Sequence, residues 1–201
     1  MRIIGGIAAG RLLKVPSGYD VRPTPDLVRQ AVFNRLASFR NGAGIEGARV
    51  LDLFSGSGAI GLECLSRGAA YVVSVEKANR HARMIEENLA RLENPEFSSR
   101  HSLRIQEVSV AIGQLAERRG GDSQFDLIIA DPPFGEKNVN RRSTSLSQTL
   151  LDNEALPSLL ADDGLFVLGH TKRDTLTLPE WWVEVKEMRH GDSMMRFLRK
   201  G

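Results

Sequence analysis

One cysteine, Cys64, occurs in 201 residues. That excludes an intramolecular disulfide and any cysteine-built zinc cluster. Its apolar surroundings read as a buried core thiol rather than a nucleophile. No grouping of His, Cys and Asp offers a metal site, so no metal is expected. No apolar run reaches 18 residues and nothing resembles a signal peptide. A soluble, cytoplasmic protein with no membrane partner is therefore expected, and separately a monomer. The chain also lacks internal repeats, low-complexity tracts and a second-domain boundary, and its length suits a single domain, 1–201.

A strong charge of one sign is missing as well. The net charge is only +2, but it is unevenly distributed. Residues 1–40 hold seven basic and two acidic residues, a net of +5, and the rest carries −3. A basic front end, 1–40, on a slightly acidic body, 41–201, suggests a phosphate-rich partner.

The organising stretch is Val50-Leu51-Asp52-Leu53-Phe54-Ser55-Gly56-Ser57-Gly58-Ala59-Ile60-Gly61. It opens as a buried parallel strand and turns on glycine into a helix-like run. Gly56, Gly58 and Gly61 spell G-x-G-x-x-G, which permits a tight turn and close ligand approach. Glu76 follows Gly56 by 20 residues, at the end of the run Tyr71–Val75. An acid there suits ribose hydroxyls. Asp52 would repel a pyrophosphate, whereas Asp52 and Glu76 together attract a cationic nucleoside such as S-adenosylmethionine.

A second decisive stretch runs from Phe125 to Ala130, a buried strand, into Asp131-Pro132-Pro133-Phe134. Two prolines remove two backbone donors and fix two φ angles. What remains is a rigid, acceptor-rich corner at a strand's C-terminal end, where open α/β sheets place ligands. Followed by an aromatic ring, it suits a planar substrate bearing an amino group.

At these residues the chain resembles the class I S-adenosylmethionine-dependent methyltransferases. More closely it resembles the bacterial 16S ribosomal RNA guanine-966-N2-methyltransferase family. The matching segments are Arg2 to Gly6, Gly10 to Leu13, Arg22-Pro23-Thr24 with Val28-Arg29 and Phe33 to Leu36, Asp52 to Gly58, Gly61 to Glu63, Ser66 to Ala69, Glu76, Asp131 to Phe134 and Gly191 to Ser193. The resemblance implies a Rossmann-like α/β fold with a seven-stranded, mostly parallel sheet, flanking helices and a small N-terminal hairpin and helix extension. It implies S-adenosylmethionine held by Asp52, Phe54, Ser55, Gly56, Gly58, Glu76, Lys77, Ser109 and Asp131. Ser109 departs from the family's usual Asp or Asn. Catalysis falls to Asp131, Pro132, Pro133 and Phe134. RNA contacts are expected at Arg2, Arg11, Arg22, Arg29, Arg141 and Arg142. The implied partner is 16S rRNA in the small subunit or an assembly intermediate. Other readings are an adenine-N6 DNA or protein glutamine methyltransferase, a non-catalytic RNA-binding relative, and a nicotinamide-dependent dehydrogenase.

In chain order, residues 2–15 suggest a hairpin. Thr24-Pro25-Asp26 starts a helix reaching about Phe39, with Thr24 as N-cap. Helices follow over 58–68 and about 78–93, the second with Ala82, Ile85, Leu89 and Leu92 inward and His81 at the surface. Then come a strand from Leu103 to Glu107, a helix over about 109–118, a basic loop from Gly135 to Ser147 and a helix from Leu150 to Leu160. Asp163-Gly164 reads as a turn before the strand Leu165–Leu168, with His170 at the surface beyond it. Trp182–Met188 and Met194–Leu198 form an antiparallel hairpin around Gly191-Asp192-Ser193, with Trp181 and Trp182 as packing residues.

Overall fold

A computed structural model describes residues 1–16, 24–117, 124–133, 138 and 142–201. The chain divides into two compact units, Met1–Ala111 and Ile112–Gly201. The seven strands have the order β3-β2-β1-β4-β5-β7-β6 in one mixed sheet, as the α/β expectation requires.

In the first unit the glycine-flanked apolar runs become β1 (Arg49–Leu53), β2 (Tyr71–Glu76) and β3 (His101–Ile105). β2 pairs in parallel with both neighbours, placing Asp52 opposite Ser74 and Glu76 opposite Ile105. Helix α1 spans Asp26–Leu36, α2 Ala59–Ser66, α3 Asn79–Arg91 and α4 Pro95–Ser99. α2 packs on β1 and β2, and α3 on β2 and β3. Seven of the eight residues of α2 are buried, as an apolar helix without a polar face must be. The Cys64 thiol lies in it, fully buried. Burial first, then the charges of Asp52 and Glu63, push its pKa well above the ordinary value.

Several boundaries differ from the sequence pattern. The cap of α1 is Pro25, not Thr24, and the helix stops at Leu36 before a short 3-10 turn at Arg40–Gly42. Asn94-Pro95 does more than end α3: the Asn94 side chain caps α4, accepting from the Glu96 N–H at 3.0 Å. Along α3 the buried residues are Ala82, Ile85 and Asn88, so an amide takes the place expected of Leu89. β3 lies two residues earlier than its apolar pattern suggests.

The N-terminal hairpin shrinks to a single antiparallel bridge between Arg2 and Leu12. Ile3 and Gly10 still bond across it, but amides in its middle bond to α2. Ile4 and Gly5 N–H donate to the Glu63 carboxylate at 2.7 and 2.8 Å, and Ala8 N–H to Ser66 Oγ at 2.9 Å. Gly6, at φ +79°, packs so tightly on the Ser66 carbonyl that no side chain fits.

Helix α5 (Val108–Ala116) leads from one unit into the other. In the second unit, β4 (Phe125–Ala130) pairs in parallel with β5 (Leu160–Thr171). β7 (Ser193–Lys200) pairs antiparallel with β5 and with the outermost strand β6 (Trp182–His190). The expected turn at Asp163-Gly164 is absorbed into β5 as a register shift between Phe125 and Leu127. The expected helix Leu150–Leu160 gives way to α6 (Leu146–Leu151), which starts inside the expected basic loop, and a 3-10 turn at Leu156–Leu159; residues 135–137 and 139–141 of that loop lie outside the described residues. Trp182 packs on Phe166 at 5.1 Å, and both tryptophan indoles donate to the Leu151 carbonyl, so both are packing residues as expected. Among the described residues no helix is long and apolar enough to cross a membrane.

Candidate active site

The glycine loop forms at the C-terminal end of β1, where the chain turns into α2. Three left-handed residues make the turn: Phe54 at φ +58°, Gly56 at +54° and Gly58 at +78°. An aromatic residue in that region is strained by about 1–2 kcal/mol, a feature that gathers at functional sites. The strain is held by hydrogen bonds. Ser55 Oγ donates to the Asp52 carbonyl at 2.8 Å and accepts from the Val75 N–H at 3.1 Å. Ser55, which the resemblance places at the cofactor, thus uses its hydroxyl to stitch β1 to β2. Gly61 answers a packing need: a Cβ there would lie 3.0 Å from Asp52 Oδ2 and 3.1 Å from Ser74 Oγ.

Both predicted carboxylates sit at this loop. Asp52 is 1% exposed and accepts from the Gly61 N–H at 3.1 Å. Glu76 accepts from the Gly56 N–H at 2.9 Å and from the Ala78 N–H at 2.8 Å. His81 lies 3.6 Å from Glu76 with its side chain 12% exposed, so it is not the free surface residue its helical position suggested. Lys77 faces solvent and pairs with Glu107 at 3.3 Å. Ser109 is exposed in the first turn of α5.

Sequence reasoning missed a clamp behind this loop. Asn88 of α3 is fully buried. Its Nδ2 donates to the Ser57 carbonyl at 2.9 Å and to the Lys14 carbonyl at 3.0 Å, and its Oδ1 accepts from the Lys14 N–H at 2.7 Å. A polar residue on an apolar helix stripe was its only signal.

The second unit supplies the acceptor-rich corner. Asp131, Pro132 and Pro133 leave the end of β4, with Pro132 buried and Pro133 exposed. Phe134 lies outside the described residues. In β5, Gly169 packs against Asp131: an added Cβ would overlap Oδ1 and lie 3.0 Å from Cγ. Ser147, 1% exposed, donates to the Gly169 carbonyl at 3.1 Å. An isolated glycine inside the run Phe166-Val167-Leu168-Gly169-His170 is the sequence signal for such a close approach. His170 is 5% exposed and not at the surface, because β5 continues through it to Thr171. Burial, then the Arg196 charge, lowers its pKa.

The predicted RNA-facing arginines part company. Arg2 is exposed. Arg11 pairs with Glu93 at 2.8 Å, and Arg142 pairs with Asp152, each with its side chain about half exposed. Arg29 is corrected outright: it is 1% exposed. Its guanidinium donates to the Arg2 carbonyl at 2.6 Å and to Asp26 at 2.8 Å, and stands 3.9 Å from Glu63. It holds the N-terminal segment to α1 and cannot reach RNA phosphates. Arg22 and Arg141 lie outside the described residues. Among the described residues no group of three or more His, Cys, Asp or Glu side chains could hold a metal ion.

The residues of the loop fit S-adenosylmethionine. Residues 52–58 carry a buried carboxylate and no basic side chain, which suits a cation rather than a pyrophosphate. The fold and this loop define a class I S-adenosylmethionine-dependent methyltransferase. The chain belongs to the family described as conserved hypothetical protein 95, whose model matches residues 1–199. It is 33% identical to ribosomal RNA small subunit methyltransferase D of Escherichia coli K12, over 100% of this chain and 90% of that protein. A solved hypothetical protein of Thermus thermophilus is 29% identical with a TM-score of 0.76, over 99% of both chains. The solved yhhF protein of Escherichia coli is 32% identical with a TM-score of 0.72, over 100% of this chain and 97% of that one.

Proposed function

We propose that this protein methylates the exocyclic N2 of a guanine in 16S ribosomal RNA, at position 966 as the family resemblance implies. The observation that carries the reading is the Asp131-Pro132-Pro133 corner at the end of β4, with Gly169 packed against its carboxylate. The full-length similarity to a small-subunit rRNA methyltransferase supports the substrate class.

S-adenosylmethionine, when bound, supplies an electrophilic methyl group on a sulfonium. The chain's own residues do the rest. Asp52, Glu76 and the backbone of the glycine loop would hold the cofactor's charged and hydroxyl-bearing parts. The guanine N2 lone pair is delocalised into the ring, so the nitrogen is a poor nucleophile. Asp131 and the Pro132 carbonyl accept its two N–H bonds, which turns the lone pair out of conjugation and offsets the positive charge that grows during transfer. Asp131 then takes the released proton. A base inside structured RNA must be unstacked to reach the corner, and this reading assigns its stacking partner to Phe134, a type of contact worth about 1–3 kcal/mol in single-strand binders.

The experiment is transfer of labelled methyl to small ribosomal subunits lacking their native methylation, followed by digestion to nucleosides. Label in N2-methylguanosine is expected. Label in another nucleoside moves the target. Transfer to DNA or protein alone overturns the RNA reading.

A further inference from the structure

An open cavity of about 370 Å³ lies in the first unit, lined by Lys14, Asn79, Arg80, Arg83, Met84 and Glu87. Arg80, Arg83, Met84 and Glu87 follow the i, i+3, i+4, i+7 spacing of one helix face, opposite Ala82, Ile85 and Asn88, which are buried. Lys14 closes the other side, bonded to Glu87.

Three features make this a built site. First, Lys14 does not lie on a loose tail: the buried Asn88 amide grips both its N–H and its carbonyl. Second, the N-terminal part of α3 carries the charge that helices disfavour there, although Arg91 in the last turn has the favoured sign. No acidic residue occupies its first turn, whereas Arg80 and Arg83 stand near the N-terminus and Glu86 and Glu87 further along. Helices favour the reverse, since the N-terminus already carries about half a positive charge. The arrangement costs stability and concentrates positive potential at the cavity. Third, the cations outnumber Glu87 by three to one, and Arg83 has no ion-pair partner among the described residues.

We propose that this cavity binds the phosphodiester backbone of the RNA substrate, with Lys14, Arg80 and Arg83 as the phosphate contacts. The inference rests on the RNA reading above and deepens it. The cations come from two chain segments, Arg80 and Arg83 on α3 and Lys14 across the cavity, more than one phosphate needs and suited to a strand. Such contacts fix register without reading sequence. They begin four residues beyond Glu76 in the chain, and the same Asn88 amide that seats Lys14 also holds the Ser57 carbonyl of the glycine loop.

The test measures binding of a fluorescently labelled 16S rRNA fragment by anisotropy across salt concentrations, so it does not depend on turnover. Arg83→Glu and Arg80→Ala are expected to weaken binding by about five- to eightfold per lost contact at 0.1 M salt, and to reduce the salt slope by about 0.7–0.9. Glu87→Gln, which removes the acid, is expected to tighten it. Arg189→Glu, a like charge change at the β6–β7 turn, serves as the location control, and melting curves check folding. An unlabelled RNA oligonucleotide should compete, and inorganic phosphate at matched ionic strength should not. Unchanged affinity in the Arg80 and Arg83 variants, or an equal loss in Arg189→Glu, overturns the proposal. Competition by phosphate overturns the strand in favour of a small-anion site. If the wild-type protein binds RNA through these residues but transfers no methyl to it, the cavity stands and the RNA-methylation reading falls.

Discussion

Gly169 of β5 lies against the Asp131 carboxylate, leaving no room for a methyl group between them. The β4–β5 register sets this up by pairing Ala130 with Leu168, so the residue after each strand pair meets its counterpart. Gly169→Ala should displace the carboxylate and lower kcat by about 100-fold, the scale of a misplaced reacting group. Cofactor affinity, set in the glycine loop, should change little. Single-turnover methyl transfer and calorimetric titration of S-adenosylmethionine check both halves. A variant that turns over normally would show that the carboxylate's position is unimportant.

Asp131→Ala should remove both the acceptor for the amino group and the proton acceptor. Methylation should fall below detection while cofactor binding persists. Asp131→Asn keeps an acceptor oxygen and loses the charge, so it should retain residual transfer. If Asn and Ala variants are equally dead, charge at Asp131 outweighs orientation. If either is fully active, the corner is not the catalytic site.

The buried Glu63 is the anchor of the N-terminal segment. Beyond Ile4 and Gly5 it accepts from Arg67 Nε at 2.8 Å, while Arg67 stacks over Phe33 at 4.7 Å. Removing one member leaves uncompensated buried charge or amides, at about 3–5 kcal/mol. Glu63→Ala and Arg29→Ala should each lower the unfolding free energy on that scale, read by urea titration. The salt slope of RNA binding should not change for Arg29→Ala. A reduced slope in a stably folded variant would return Arg29 to the RNA face.

Arg29 also shows what a sequence hides. It sits among Val28, Val32, Phe33 and Leu36, on the buried side of α1, and its partner Glu63 lies 34 residues away on another helix. Nothing local announces a paired buried charge, so a basic segment reads as a solvated one. Asp52, Glu76 and Asp131 were legible because each is an acid within or just past the C-terminal end of an apolar strand, where open α/β sheets place their ligands. The strand order needed the family resemblance, because periodicity identifies strands and not their neighbours. Gly169 and Asn88 each break an apolar pattern, which marks the position but not the partner, and Ser147 carries no such mark; all three act through contacts with residues distant in sequence.

His101 opens β3 with its ring bonded to Ser74 Oγ at 2.9 Å. Burial lowers its pKa from the ordinary 6.5 to about 4. The unfolded chain therefore binds a proton near pH 6.5 that the folded chain refuses until about pH 4. Stability is complete above pH 6.5 and is lost as pH falls toward 4, by up to about 3 kcal/mol. His170, shifted the same way, adds to the loss. Urea melts between pH 7 and 4.5 should show a shallower decline for His101→Gln than for the wild type. Parallel curves would mean that His101 does not stay neutral in the folded state.

Asn88 joins Lys14 to the glycine loop, and its loss tests whether that link matters for the cofactor. Asn88→Ala removes three hydrogen bonds at a fully buried position and leaves the Lys14 N–H, the Lys14 carbonyl and the Ser57 carbonyl to find new partners, at about 1–3 kcal/mol for each group left unpaired. In a chain of this size each kcal/mol lowers the melting temperature by about 2–4 °C. The loop should also loosen. Reordering it on binding costs about 1 kcal/mol for each group to be fixed, so the Kd for S-adenosylmethionine should rise by about fivefold. Differential scanning fluorimetry with and without the cofactor reads both effects in one experiment. A fall in melting temperature with an unchanged Kd would make Asn88 a fold clamp only, because the loop's geometry would then be secured by Ser55 and Glu76 without it.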